Sequence, residues 1–185
     1  EIIKTRRSVG KFKPDMPPEE LVEKILEAGT WAPNHHLTEP WKFFVLRGTS
    51  RNKLGDVMAD GLKESLTDPE SEESKISIET ERKKPLRSPL IIAVMASPSN
   101  NPKVVEIEEI AAVAASIQNM LLTAHSIGLA TICRTGPAAY RKRVEEFFGL
   151  GGKEKIMGFI YLGYPDIQVP EGDRTSFREK TVWME

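Results

Sequence analysis

Between Glu106 and Gly128 the chain carries its longest helical pattern, and from Ile110 to Ala124 that pattern holds no charged residue. A helix that is apolar nearly all round cannot rest on a surface; it belongs in a core or in an interface. The uncharged stretch is too short and too polar for the ~20 apolar residues of a membrane span. Other elements, or a second copy of the chain, must therefore supply its cover. With 185 residues the chain has the length of one domain, residues 1–185, able to bury a sizeable core. A domain this small cannot wrap such a helix alone, so a homodimer is expected.

The elements available for that cover alternate between helical and strand-like. Pro17-Pro18-Glu19-Glu20 opens a helix, since proline is tolerated in a first turn and carboxylates suit the positive end of the dipole. Leu21, Ile25, Leu26 and Ala28 continue it at helical spacing until Pro33. Trp41 to Leu46 (WKFFVL), bounded by Pro40 and Gly48, reads as a buried strand. Arg51 to about Leu66 predicts a helix with Leu54, Val57, Met58 and Leu62 on one face. Pro89 to Ala96 (PLIIAVMA) is the clearest central strand, followed by a turn at Ser97–Pro102. Ala130 to Cys133 is a short strand, Pro137 to Phe148 reads as helical, and Ile156 to Leu162 is a strand of alternating pattern. Within 60–84, the stretch from Asp68 to Lys84 is dense in charge and has only Ile76 and Ile78 as large aliphatics. It reads equally as a solvated helix or a mobile lid. The tail, 165–185, is too poor in apolar residues to build a core of its own. Strands separated by helices, with a tail that must dock elsewhere, predict an α/β or α+β sandwich.

Charge narrows the partners. Lys and Arg total 26 against 27 Asp and Glu, a formal net charge of −1, which gives no electrostatic reason to expect a nucleic acid or an anionic membrane. Cys133 is the single cysteine, so neither a disulfide framework nor a cysteine metal cage can form within the chain. With no apolar signal region ahead of Arg6, a cytoplasmic protein is expected.

Three clusters carry possible chemistry. Arg6-Arg7-Ser8 offers two guanidiniums and a hydroxyl, a good match to a phosphate because Arg forks onto oxyanions; judged alone, it reads more readily as a solvated basic pair at a terminus. Trp31-Ala32-Pro33-Asn34-His35-His36, followed by Pro40-Trp41, offers donors and flat surfaces for a planar heteroaromatic ligand. The same residues also read as a helix stop with an aromatic anchor. Neither histidine has a partner at the usual ligand spacing, so no metal site is expected. Cys133-Arg134-Thr135-Gly136-Pro137 ends a strand and precedes a helix, where backbone N–H groups face outward and anions are favoured. No Cys-His-Asn signature surrounds Cys133, which reads as a small buried residue rather than a nucleophile.

Taken in order, these pieces resemble the nitroreductase family, in particular its compact bacterial branch of minimal nitroreductases. The resemblance rests on IIKTRRSVGKFKPDMPPEELVEKILEAGTWAPNHHLTEPWKFFVL, on IQNMLLTAHSIGLATICRTG, on KIMGFIYLGYP and on a tail ending SFREKTVWME. It spans nearly the whole chain, leaving only Asp60 to Lys84 without counterpart motifs, and implies a few further helical residues before Arg6. It implies a nitroreductase-like fold, with a central, mostly antiparallel sheet flanked by helices, in an intertwined homodimer holding one FMN at each of two interface sites. It implies NAD(P)H as reductant and a small-molecule electron acceptor such as a nitroaromatic or a quinone, in ping-pong turnover. By the same resemblance Arg6, Arg7 and Ser8 match the segment that holds FMN phosphate, ribityl and pyrimidine atoms, and Cys133, Arg134 and Thr135 match the second FMN-binding strand end. Trp31 and His35 match positions that reach the flavin from the partner subunit, Arg178 matches a tail residue that contributes to the phosphate, and Thr123–Gly128 corresponds to a segment assigned to NAD(P)H. Two residues depart from the pattern: Trp31 stands where relatives can have a basic residue, and Cys133 where they can have tryptophan.

The resemblance fixes a fold more firmly than a reaction. A different flavin reaction on the same fold, reductive dehalogenation or consumption of the flavin itself, and a non-enzymatic flavin-binding module are the alternatives.

Overall fold

Four segments rich in β-branched and aromatic residues, each bounded by turn formers, pair into one sheet. The computed structural model describes residues 1–169 and 171–185. Its strands are β1 (Trp41–Arg47), β2 (Leu90–Ala96), β3 (Ala130–Arg134) and β4 (Lys155–Gly163), in the order β1-β2-β4-β3. Every pair is antiparallel: Phe43 lies opposite Val94, Ile92 opposite Ile160, and Cys133 also opposite Ile160. This is an α+β architecture with a central antiparallel sheet flanked by helices, as the sequence leads one to expect.

Because successive strand residues point to opposite faces, the sheet feeds two cores. On one face Ile92, Val94, Ile160 and Leu162 pack with residues of α2 (Glu19–Thr30) and α5 (Glu106–Ser126), among them Ile25, Val113 and Met120. On the other, Ile91, Met95, Phe159 and Tyr161 pack with Leu54 and Met58 of α3 (Thr49–Ser65) and Val144 of α6 (Lys142–Phe147). The short α1 (Ile2–Thr5) precedes α2, and α4 (Glu72–Lys83) lies between α3 and β2.

Three details differ from, or sharpen, the sequence expectation. The strand of alternating pattern expected at Ile156 to Leu162 is present as β4, and Gly158 to Gly163 on it are all buried. An interior strand between two helical layers has no solvent face. The helix expected from Pro137 to Phe148 is broken. A 3-10 turn at Pro137–Tyr140 ends at Arg141, whose extended backbone (φ −89°, ψ 131°) precedes α6. Arg141 donates to the Met58 carbonyl (3.2 Å) and to Glu81 (3.3 Å), and these tertiary contacts override local helix propensity. The charged 68–84 segment is a helix, capped where the Ser71 hydroxyl accepts from the Ser74 N–H. Its C-terminal turn is fastened to α3: Arg82 pairs with Asp56, and the Arg82 carbonyl lies directly on Gly55, leaving no room for a side chain there.

α5 buries Ala112, Val113, Ile117, Met120, Leu121 and Ala124, while Ile107, Ala111, Ala114 and Gln118 form an exposed line on its far side. In the tail Val182, Trp183 and Met184 are 86–93% exposed. Among the described residues, no helix is long and apolar enough to cross a membrane. Nor does any group of three or more His, Cys, Asp or Glu side chains gather as a metal site would require.

Candidate functional site

β3 is an edge strand, and its free side takes the N-terminal segment. Ser8 bridges to Thr131 in parallel, and the Val9 N–H donates to the Thr131 carbonyl at 3.0 Å. Farther on, the Lys13 N–H donates to the Tyr164 carbonyl and the Asp166 N–H to that of Lys11. This pairing holds Arg6 and Arg7 at the start of β3, against a cavity of about 210 Å³ lined by Arg6, Arg7, His125, Thr131 and Pro165. Arg7 Nη1 donates to the Lys4 and Arg6 carbonyls, each at 2.7 Å. Arg6 Nη1 and Arg7 Nε are buried with no partner. Burial, and then Arg7 and Arg174, push the Arg6 guanidinium below its ordinary value. Neighbouring half-buried cations with buried, unmet donors are costly unless an anion satisfies them.

The other end of β3 carries a second cationic hollow. Its volume is about 300 Å³, and Lys84, Arg87, Arg134, Thr135, Phe159 and Tyr161 line it. The Arg134 guanidinium carbon lies 5.7 Å from the centre of the Tyr161 ring. Burial pushes the Tyr161 phenol up, while Arg134 and Arg87 pull it back down. Thr131 and Arg134 are three strand steps apart, roughly 10 Å. Segment 8–10 runs between the hollows: a Cβ on Gly10 would sit 3.2 Å from Arg134 Nη2. The surface thus suits an elongated ligand that carries negative charge or hydrogen-bond acceptors at both ends.

The remaining candidates fall elsewhere. Cys133 turns to the sheet face opposite Arg134 and packs against the α2–α5 core. Burial pushes its thiol up, favouring the unreactive protonated form. Thr135, by contrast, reaches the Arg134 hollow. Trp31 (79% exposed) and His35 lie in the loop after α2. There Pro33, Asn34 and His35 face Ala111 and Ala115 of α5 across an open cleft that shares no lining residue with the two hollows. The loop holds His36, Leu37 and Glu39 at φ of 59°, 51° and 48°, steadied where Asn34 Oδ1 accepts from the Glu39 N–H. Arg178 is exposed beside its neighbour Phe177; the tail cation near Arg6 is Arg174. Sequence reasoning passed over Lys84, Arg87, Arg174 and Tyr161, and placed His125 only within the Thr123–Gly128 segment that the resemblance relates to NAD(P)H. A signal existed for the first two, since KKPLRSP sets basic residues just ahead of the most apolar strand.

The family model described as the nitroreductase family matches residues 3–164. The chain belongs to the nitroreductase family. That family is one of oxidoreductases, and its likeness here runs through all elements of the sheet. The Escherichia coli K12 protein YdjA, named for NAD(P)H nitroreductase activity, is 33% identical over 168 residues, covering 91% of this chain and 88% of YdjA. The crystal structure of a nitroreductase-like family protein from Bacillus cereus superposes with a TM-score of 0.83 at 32% identity, covering 100% of this chain and 94% of that one. A Desulfovibrio desulfuricans nitroreductase-type structure in complex with FMN shares the fold, with a TM-score of 0.74 at 22% identity over 100% of this chain and 95% of its own.

Proposed function

We propose that this nitroreductase-family member is an FMN-dependent oxidoreductase that takes electrons from NAD(P)H and delivers them to small acceptors such as nitroaromatics and quinones, in ping-pong turnover. The observation that carries the reading is the pair of buried, unpartnered guanidinium nitrogens of Arg6 and Arg7, a donor set that fits the phosphate of FMN. Arg6, Arg7, Ser8 and Arg174 would hold that phosphate and the ribityl chain, with Arg178 as a further tail cation. Arg134, Thr135, Lys84 and Arg87 would receive the ring. Bound FMN supplies the two-electron redox chemistry.

The side chains bind, orient and compensate charge. Arg134 and Arg87 are permanent cations at the hollow and stabilise negative charge that develops there. Phe159 and Met58 give it apolar walls, and the excluded water strengthens those cations. Cys133 takes no part, because its thiol faces the core.

The same proposal takes residues 1–185 as one domain acting as a homodimer in the cytoplasm, where NAD(P)H is at hand. The exposed line on α5, the cleft holding His35, and the bare Trp31 and Trp183 support it. A second subunit covering α5 would bring Trp31 and His35 towards the partner's flavin, and the 165–185 tail would dock across the interface.

An absorbance spectrum of the purified protein, before and after anaerobic NADH or NADPH, tests this directly. Flavin bands that bleach on addition are expected, and Arg6→Ala should weaken FMN binding about tenfold or more, the size of one charge-assisted contact. A colourless protein that fails to take up FMN overturns the reading. Bound flavin that no nicotinamide reduces leaves only a flavin-binding module.

A further inference from the structure

His125 sits in the last turn of α5, where the helix carbonyls favour a nearby positive charge. It lines the 210 Å³ cavity with Arg6 and Arg7, and also an adjoining cleft of about 450 Å³ with Lys4, Thr5, Arg7 and Glu171. Its Nε2 lies 2.9 Å from Thr5 Oγ1. That hydroxyl also lies 3.2 and 3.4 Å from the Glu1 and Ile2 carbonyls, and whether it donates to Nε2 or accepts from it follows the histidine tautomer. The charged groups facing the ring are Lys4 from α1, Arg6 and Arg7 from the segment after it, and Glu171 from the tail, with Arg174 beside Arg6. β3 contributes the uncharged Thr131.

We propose that His125 is a proton-switched contact of the phosphate cradle. When protonated it adds a donor and a charge to Arg6 and Arg7, and when neutral it withdraws the charge. The inference deepens the FMN reading and rests on it. A phosphate near neutrality carries between one and two negative charges and three strong acceptor oxygens, which leaves room for a donor from His125 beside those of Arg6, Arg7 and Arg174. Arg6 and Arg7 keep their charge at all working pH values, whereas a histidine changes between about pH 5 and 8. Affinity for a phosphorylated flavin should therefore carry a histidine-dependent component that riboflavin, which has no phosphate, lacks.

The test is equilibrium titration of FMN and of riboflavin into flavin-stripped full-length protein at pH 6 and pH 8.5, for wild type, His125→Gln and His125→Lys. Because the phosphate itself titrates near pH 6, wild type is compared with each variant at the same pH. Glutamine keeps a donor for Thr5 but never a charge. It should bind FMN about tenfold more weakly than wild type at pH 6 and equally at pH 8.5. Lysine should hold the tighter affinity at both values, and riboflavin should bind all three proteins alike. If His125→Gln matches wild type for FMN at both pH values, or loses riboflavin as far as FMN, the proposal is overturned. If no protein binds FMN at any pH, the flavin reading falls with it.

Discussion

A Cβ on Gly158 would lie 2.7 Å from the Cys133 sulfur, so one absent side chain makes the berth for the only thiol. Burial there holds the thiol above its ordinary value, and burial does the same to the phenol of Tyr161, three residues past Gly158 on β4. Both groups keep their protons more tightly when folded. Their neutral forms are fully compatible with folding below the unfolded thiol value of about 8.5, and stability declines as pH climbs through the raised folded values. Urea midpoints should therefore fall between pH 7.5 and 9.5, and Cys133→Ala should shrink that fall. An equal pH dependence in the two proteins would remove Cys133 as a cause. The residue type at 133 was plain in the sequence, and so was the expectation of a buried, unreactive cysteine. That its sulfur faces Gly158 was not, because strand register decides which neighbour a side chain meets.

At the scale of elements, α4 and the turn before α6 are joined by one buried carboxylate. Glu81 is 6% exposed and pairs with Lys84 of the ring-side hollow and with Arg141. Removing it strands Arg141, which is itself largely buried. Glu81→Ala should cost about 3 kcal/mol, since breaking one side of a buried pair leaves an uncompensated charge. Thermal melts would show this, and an unchanged Tm would mean that water already solvates Arg141. The variant should also loosen Lys84 at the hollow. The charge pattern marked 72–83 as a solvated segment but left helix and mobile lid equally open, because a solvated face needs no partner to reveal it. Its anchored end was not legible, because the pairing of Glu81 with Arg141 spans a separation no periodicity reports. The interruption at Arg141 was invisible for the same reason.

For the whole molecule, α5 is apolar on more of its surface than the chain covers: Ile107, Ala111 and Ala114 stay exposed while the opposite side is buried. The tail leaves Val182, Trp183 and Met184 bare. Both are surfaces that a second subunit would bury. Truncation after Pro165 should yield monomeric or aggregated protein without flavin, as read by light scattering coupled to size exclusion and by absorbance. A yellow, dimeric truncation would show that the tail is dispensable to both.

The sequence by itself determined most of the elements and the family, because hydrophobic period, proline stops and runs such as PLIIAVMA and RRSV are local properties of the chain; the antiparallel sheet came through the resemblance, not from the period. It also marked Arg6, Arg7 and Arg134, whose charge is unconditional. Only the tertiary structure decided that Arg6 and Arg7 keep buried, unpaired nitrogens, that Lys84, Arg87 and Tyr161 gather round Arg134, and that His125 lines the same cavity as Arg6 and Arg7. Each of those depends on which strand lies at the sheet edge and which residues register across it, and that is settled by packing between segments far apart in the chain.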